Sequence, residues 1–532
     1  MTMVPMMMRW KMQAALAVLA AFAGPASAQQ GADLLIRGGT IYDGSEGNKG
    51  FVGDIAITGD RITYVGPGAN VTARKTIDAK GMIVAPGFID GHNHSQRWLD
   101  NPDAKERRVE PFLAQGVTTV IIGVDGRGET NLKNQFDKYR RTGTGLNMAS
   151  YVGYSTIREK VIGLEARAPN AAELATEKQL VAKGMCEGAL GLSTGLFYAP
   201  QSFAKTDEII ELAKEASKRG GIYDTHQRDE SSYSIGIIAS TQEVLRIGRE
   251  ASIPVHFSHI KALGEDVWGK SAEVIRLINE ARARGQNVTA NQYPWLASHT
   301  GLSAALVPRW VVDGGYPAMI KRFNDTALMP KIRAEMTDNL RRRNGPHAIL
   351  FSNPGKPWSG KYLDEVAKEW KVDPIEAAIR ILRQTERESI VSFNMSQRDV
   401  NNFMKQPWVS TSSDGGSNHP RTYSSLSIKY AEYVKQRKVI DLPTYVRRSS
   451  GLAADQYSLV QRGYLKNGYF ADIVVFDPNT FAPKSDYVHP AVLSAGVTNL
   501  VVNGKLAIDN GKFTDALSGR PLPRTPKPGT CT

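Results

Sequence analysis

Apolar runs of β type alternate with longer amphipathic stretches through most of the chain. The runs end near "IVAPGFIDGHNH", "GVTTVIIGVD", "LNMASYVGY", "GALGLST", "GIYDTH", "IPVHFSH", "NVTANQY" and "PWVSTSSD". Stretches such as "TDEIIELAKEASKRGG" and "SAEVIRLINEARARGQ" lie between them. They close on Gly after basic residues, as helix C-termini do. Alternating β and α segments predict a parallel sheet. Eight such units predict an α/β fold, the TIM (β/α)8 barrel.

Polar residues fall in phase with these units. His94 precedes Asp125 by 31 residues, His226 precedes His259 by 33, and His259 precedes Tyr293 by 34. Each closes its run, at the strand ends where barrel enzymes build their chemistry. Four of the nine histidines (His92, His94, His226 and His259) lie there. His92 and His94 are two apart, so a strand would project both to one face; taken alone, the pair also fits an ordinary surface loop. In "VHFSH", His256 and His259 are three apart and would face opposite ways on a strand. The strand end selects His259 for the mouth and leaves His256 against the helix layer.

The gap from Tyr293 to Asp414 is 121 residues, too long for one βα unit. It predicts an insert at about 301–388, of the kind that shapes access to a barrel mouth. The segments "DLLIRGGTIYDG" to "RITYVG", and later "GYFADIVVFDP" and "VTNLVVNGKLAIDNGKF", alternate as strands. Neither end alone buries a core. Together, as 29–85 and 465–525, they predict a small β-sandwich beside a barrel at 86–464.

Residues 1–28 stand apart. Arg9 and Lys11, then "AALAVLAAFAG", then "ASA" before Gln29 read as a secretory signal peptide and an exported, periplasmic or secreted product. No later run approaches the ~18 apolar residues of a membrane span. The net charge of +13 falls to +11 without the leader and is spread along the chain. "NLRRRNG" at 339–345 lacks interleaved aromatics and reads as a solvated helix end. The charge pattern argues against nucleic acid, and the expected partner is a small molecule; the oligomeric state is open. Hydrophobic content of 41% and charged content of 22% fit a globular chain. Cys186 and Cys531 suggest no disulfide framework and lack metal-ligand spacing.

The ordered set resembles the amidohydrolase superfamily: "PGFIDGHNH" on the first barrel strand, single His residues on strands five and six, Asp on strand eight, and "GYFADIVVFD". More narrowly, "GALGLSTGLFYAP", "SHIKALG", "YPWLAS", "SSDGGSNHPRTY" and "LSAGVTNLVVNG" resemble the N-acyl-D-amino-acid deacylases, or D-aminoacylases. There are departures. The turn after strand two carries Asp125 in "GVDG" where those enzymes have a metal-binding Cys. A Gly-His pair usual after the third strand reads "GY" here, with Tyr154 in place of the histidine, and the loop from Asp414 to Arg421 is shortened. The fourth strand also lacks the lysine that related cyclic amidases carboxylate to bridge two metals.

The resemblance implies His226, His259 and Asp125 as principal metal ligands, with His92 and His94 at a second position that Asp125 bridges. Imidazole and carboxylate suit Zn2+, one or two per chain, or another divalent metal. Asp414 would be general base and then general acid, although it and Asp125 also fit plain Asp-Gly turns. Lys261 and Arg421 would hold a substrate carboxylate, with Tyr198 and Tyr293 orienting it. Arg228 and Glu230 would fix His226 from behind, and His419 would be structural. The implied reaction is metal-dependent hydrolysis of a linear amide, an N-acyl-D-amino acid. Competing readings are a dipeptidase or cyclic amidase on the same scaffold, and a non-catalytic binding barrel that has lost its metal.

Overall fold

The computed structural model describes residues 1–2, 31–416 and 418–531, so the leader expected at 1–28 falls almost wholly outside the described residues. Five strands come first: β1 (Ala32–Ile41), β2 (Phe51–Thr58), β3 (Arg61–Gly66), β4 (Ala73–Asp78) and β5 (Ile83–Pro86). The barrel begins with β6 (Phe88–Asp90) and β7 (Val117–Ile122). Its third strand is broken at Tyr151 into β8 (Asn147–Ser150) and β9 (Val152–Gly153). β10 (Gly191–Gly195), β11 (Ile222–His226), β12 (Val255–Phe257) and β13 (Val288–Gln292) follow. An insert then forms its own antiparallel sheet from β14 (Ser298–Gly301), β15 (Ile349–Phe351) and β16 (Ser389–Ser392). β17 (Val409–Thr411) returns to the barrel beside β13.

All pairings among the barrel strands are parallel. The helices between them are amphipathic. Thr206–Lys218, Gly236–Glu250 and Ser271–Ala283 bury Ile209, Leu212, Val244, Ile247, Val274 and Ile278 against strand residues Leu192, Tyr223, Val255 and Phe257. The last gap, between β17 and β6, closes through loop backbone. Gly91 N donates to Thr411 O (3.3 Å), Asp414 N to His92 O (2.9 Å) and His94 N to Gly415 O (2.7 Å).

The two ends of the chain meet in one sheet. β18 (Ile473–Phe476) pairs with β5, which pairs in turn with β1; β19 (Val497–Val502), β20 (Lys505–Asp509) and β21 (Lys512–Phe513) extend it to nine strands. Ile36, Ile55, Ile62, Ile77, Ile473 and Val501 form one buried cluster, so this sheet curls around its own core. Val474, Phe476, Leu500 and Val502 face the other way and pack on Phe88, Val117 and Val120 of the barrel. A buried polar network pins the join. Asn147 Nδ2 donates to Asp472 Oδ2 (3.1 Å), Asn503 Nδ2 donates to Asn147 Oδ1 (2.7 Å), and Arg462 reaches both Asp472 and Asn503.

Two expectations are corrected. β12 stops at Phe257, which enters the helix layer, and His256 turns into the bore instead. There its Nε2 lies 2.9 Å from both Asn291 Nδ2 and Tyr457 Oη, while Asn291 and Tyr457 donate to Gly91 O beyond β6. β12 and β6 are not sheet neighbours, so the contact crosses the barrel. His259 lies beyond the strand at φ +34°, and period-two alternation no longer sets its direction.

The second correction is that Cys186 and Cys531 form a disulfide, with Cα atoms 5.6 Å apart. The C-terminal tail runs back across the N-terminal ends of the barrel strands: Leu522 N donates to Met148 O, Arg524 N to Gly188 O and Lys527 N to Arg219 O. That course brings Cys531 to the end of helix Ala171–Cys186, a meeting that sequence spacing cannot show. Cys186→Ser is expected to cost about 2–4 kcal/mol of stability. It should also expose the tail to trypsin at the Arg524–Thr525 bond, read by thermal unfolding and by the mass of the first cleavage product.

Candidate metal centre

Four imidazoles and two carboxylates meet at the C-terminal rim of the barrel. His92 and His94 follow β6, Asp125 follows β7, His226 ends β11, His259 follows β12 and Asp414 follows β17. Asp125 is the hub. Its Oδ1 lies 3.5 Å from His92 Nε2, 3.5 Å from His259 Nε2 and 3.9 Å from His226 Nδ1; its Oδ2 lies 3.5 Å from His94 Nε2. Asp414 Oδ1 is 3.6 Å from His92 Nε2 and 3.2 Å from His94 Nε2. Three sets could each hold a cation: His92–His94–Asp125, Asp125–His226–His259 and His92–His259–Asp414.

The backbone is bent to aim these groups. Asp125 (φ +55°), His259 (φ +34°) and Asp414 (φ +52°) are all left-handed, a conformation that costs a non-glycine residue energy and that gathers at functional sites. Close approach matters at Gly416, where a Cβ would sit 2.4 Å from His94 Cβ.

Burial holds the His92 imidazole down at about 4 and His226 down at about 3, so both are neutral, the form in which imidazole donates a lone pair to a metal. Burial opposes charge on Asp125 and Asp414 as well. The histidines around Asp125, and Arg421 with His259 around Asp414, outweigh it and hold both carboxyls well below their usual range. Neither nitrogen of buried His92 has a hydrogen-bond partner, nor does Asp125 Oδ1. Each such orphan costs about 1–3 kcal/mol unless something else satisfies it. A mixed nitrogen and oxygen set with unsatisfied lone pairs fits a divalent cation such as Zn2+.

The amidohydrolase family model matches residues 75–508. The chain belongs to the amidohydrolase family. It is 33% identical over 520 residues to the D-aminoacylase of Alcaligenes xylosoxydans xylosoxydans, covering 93% of this chain and 98% of that one. It is 32% identical over 514 residues to that organism's N-acyl-D-aspartate deacylase, covering 91% and 93%. The crystal structure of N-acyl-D-glutamate deacylase from Bordetella bronchiseptica, complexed with zinc and a phosphonate inhibitor that mimics the tetrahedral intermediate, superposes with a TM-score of 0.80. The identity is 27%, and the match covers 93% of this chain and all of that one.

In this amidohydrolase a cavity of about 950 Å3 opens over the centre. It is lined by His94, Asp125, His226, His259 and Asp414, while His92 lies beneath, fully buried. All four residues expected to hold substrate reach it. Lys261 Nζ and Arg421 Cζ lie 5.7 Å and 5.1 Å from the centroid of the Tyr293 ring, so both cations neighbour the same aromatic residue of the cavity wall. Arg421 Nη1 is 2.8 Å from Asp414 Oδ2 but is not aligned as a hydrogen bond, and its Nε is unpaired. Tyr198 packs edge-on to His226 at 4.9 Å, and its hydroxyl accepts from Thr300 Oγ1 (3.3 Å).

Other expectations change. Lys261 reaches the cavity although β12 has ended four residues earlier. Arg228 faces away, where it binds Glu243 and the carbonyls of Ser202 and Ala204. Glu230 is in place behind His226 and His259, 3.4 Å from each ring. Tyr154 bonds Glu208 in the helix layer, outside the cavity. The run "NLRRRNG" is not wholly solvated, because Arg343 is buried on the cavity wall with Nε 2.5 Å from Tyr233 Oη. Arg309, inside the insert, joins it. Its guanidinium lies 4.2 Å over the Phe197 ring and its Nη2 has no partner. Neither arginine sits at a strand end or in a recurring pattern, so the sequence carried no signal for them.

Asp125→Asn keeps the shape of the hub and removes its charge. It should weaken zinc binding by more than the ~10–100-fold typical of an outer-shell change, read by competition with a chelator. Tyr154→Phe should leave zinc binding unchanged in the same assay.

Proposed function

We propose that this protein is a zinc-dependent deacylase that hydrolyses N-acyl-D-amino acids to a carboxylate and a free D-amino acid. The observation that carries the reading is the position of Asp414. Its two oxygens face His92 and His94 on one side and Arg421 on the other, so the proton-transfer group stands between the cation pocket and the carboxylate clamp. Zinc bound there would polarise the acyl carbonyl and lower the pKa of a water molecule. Lys261 and Arg421 take the free α-carboxylate and so fix where the scissile amide lies. Asp414 accepts the proton of the attacking water as the new C–O bond forms, then returns it to the nitrogen as the C–N bond breaks. β10 carries no lysine, so the carboxylated-lysine centre of cyclic amidases has no counterpart on it. Preference for the D form rests on the relatives.

Arg309 and Arg343 lie on the cavity wall around Phe197, whose ring stacks on His226 at 5.6 Å. Two guanidiniums there favour a second carboxylate, which makes an acidic side chain, as in N-acyl-D-glutamate or N-acyl-D-aspartate, the preferred substrate. The leader-like first 28 residues and the Cys186–Cys531 disulfide both support export to an oxidising compartment.

Metal-depleted and zinc-restored protein should be compared on N-acetyl-D- and L-amino acids, dipeptides and hydantoin-type rings. The expected result is zinc-dependent release of acetate from acidic N-acetyl-D-amino acids; turnover of rings alone would refute the deacylase reading. Asp414→Asn should lower kcat by roughly 10^2–10^4 while the protein stays folded. Arg309→Leu should cut kcat/KM for the acidic substrate by about 10-fold or more, as loss of a charge-assisted hydrogen bond does, and spare neutral ones.

A further inference from the structure

Behind the metal centre, one carboxylate serves three partners. Glu230 Oε2 lies 3.4 Å from His226 Nε2, and its Oε1 lies 3.4 Å from His259 Nδ1 and 2.8 Å from Lys261 Nζ. Glu230 is only 3% exposed. Its loop is fixed from inside by Asp229, which accepts from the backbone N–H groups of Ser231, Ser234 and Gly236, and Glu230 O accepts from Leu263 N (2.8 Å).

The two rings use opposite nitrogens. His226 turns Nδ1 toward Asp125 and His259, whereas His259 turns Nε2 toward the same point. A neutral imidazole has one N–H and one lone pair. If the inner nitrogens give lone pairs to a cation, the protons belong on His226 Nε2 and His259 Nδ1, the atoms that Glu230 faces. At 3.4 Å neither contact is aligned as a hydrogen bond; a carboxylate that accepts from such an outer N–H fixes tautomer and ring orientation. Lys261 Nζ also lies 2.6 Å from His259 Nδ1, a hydrogen bond only while that nitrogen is bare. With the proton there, Glu230 Oε1 (2.8 Å) and the His259 carbonyl (3.1 Å) are left to hold the ammonium at the cavity wall, Glu230 being the charged one of the two.

We propose that Glu230 is a positioning residue that orients both His226 and His259 and, through the same carboxylate, aims Lys261 at the substrate's α-carboxylate. The half concerning Lys261 rests on the deacylase reading above; the half concerning the histidines does not. Sharing one carboxylate links metal retention to substrate capture, so loss of Glu230 damages both.

The test compares Glu230→Gln and Lys261→Met with the parent protein. Glu230→Gln should weaken zinc binding about 10–100-fold by chelator competition, whereas Lys261→Met should stay within about 3-fold. At saturating zinc, both should raise KM for an N-acetyl-D-amino acid by about 10-fold, the scale of one lost ion-pair hydrogen bond. Neither should raise KM for the α-carboxamide analogue, which a general loosening of the fold would. Zinc affinity of Glu230→Gln within about 3-fold of the parent, or an unmoved KM, would overturn the proposal. Should Glu230→Gln not fold, nitrogen NMR of histidine-labelled, zinc-loaded parent protein decides the first half: His226 ligated through Nδ1 and His259 through Nε2 supports it, and the reverse refutes it. If the parent turns over no N-acyl-D-amino acid, the deacylase reading and the Lys261 half fall together, while the zinc and NMR measurements still judge the histidines.

Discussion

Closing the barrel and assembling the site are one hydrogen-bonding event. The seam between β17 and β6 is held by backbone bonds that carry the functional residues themselves, Asp414 N to His92 O and His94 N to Gly415 O. Asp90, the last residue of β6, ties the seam from within. Its carboxylate accepts from Ser413 N (2.8 Å), Ser413 Oγ, Asn93 Nδ2 (2.8 Å) and His92 N (3.3 Å). Residues from the first and last strand ends can share one cation only if the cylinder closes in this register. Burial pushes Asp90 up to about 6, and four donors nevertheless face it. A group buried this deeply and bonded this fully fixes one arrangement, because any slip of the seam would leave its oxygens unpartnered.

The electrostatics at the rim follow from that convergence. Four imidazoles packed this closely repel if charged and lack acceptors if neutral. Two carboxylates and a cation resolve both problems together. Asp125 replaces the thiolate expected at its position, and its two oxygens face different histidines. A carboxylate can thus span two cation positions where a sulfur would offer a single atom. The left-handed backbone at Asp125, His259 and Asp414 is the local cost of pointing side chains inward after the strands have ended, and the surrounding barrel outweighs it.

What could be read from the sequence was whatever repeats with the fold. Strand count and strand-end phase follow from one βα unit recurring every thirty-odd residues over much of the barrel, while the roles of the six rim residues came from the family resemblance. Reading side-chain direction failed where the strand had stopped. His256 was assigned by alternation through His259, but β12 ends at Phe257 and the rule ends with it. Arg343 was taken for part of a solvated run although it is buried against Tyr233, because the helix ends at Arg342 and the chain turns Arg343 away from the exposed Arg341. The disulfide joins residues 345 apart, and only the course of the tail along Met148, Gly188 and Arg219 brings them together. Tertiary adjacency with no periodic cause leaves no trace in spacing.

The faces of the barrel divide the labour. At the N-terminal face lie the tail strap and its disulfide, with no titratable cluster of the kind found at the rim among the described residues. At the other face the barrel supplies the cation site together with Lys261 and Arg421, the proposed clamp, whereas the insert supplies Arg309, Arg343 and Thr300 to the wall beyond. These layers answer to different constraints. A change at a strand end disturbs the seam that closes the cylinder, so the reaction is tied to the fold. A change in the insert alters a separate core built on Leu306, Phe323, Ile332 and Ile390, and can reshape the wall without reopening the seam. A barrel of this kind can therefore keep its rim, and with it its chemistry, while its insert varies.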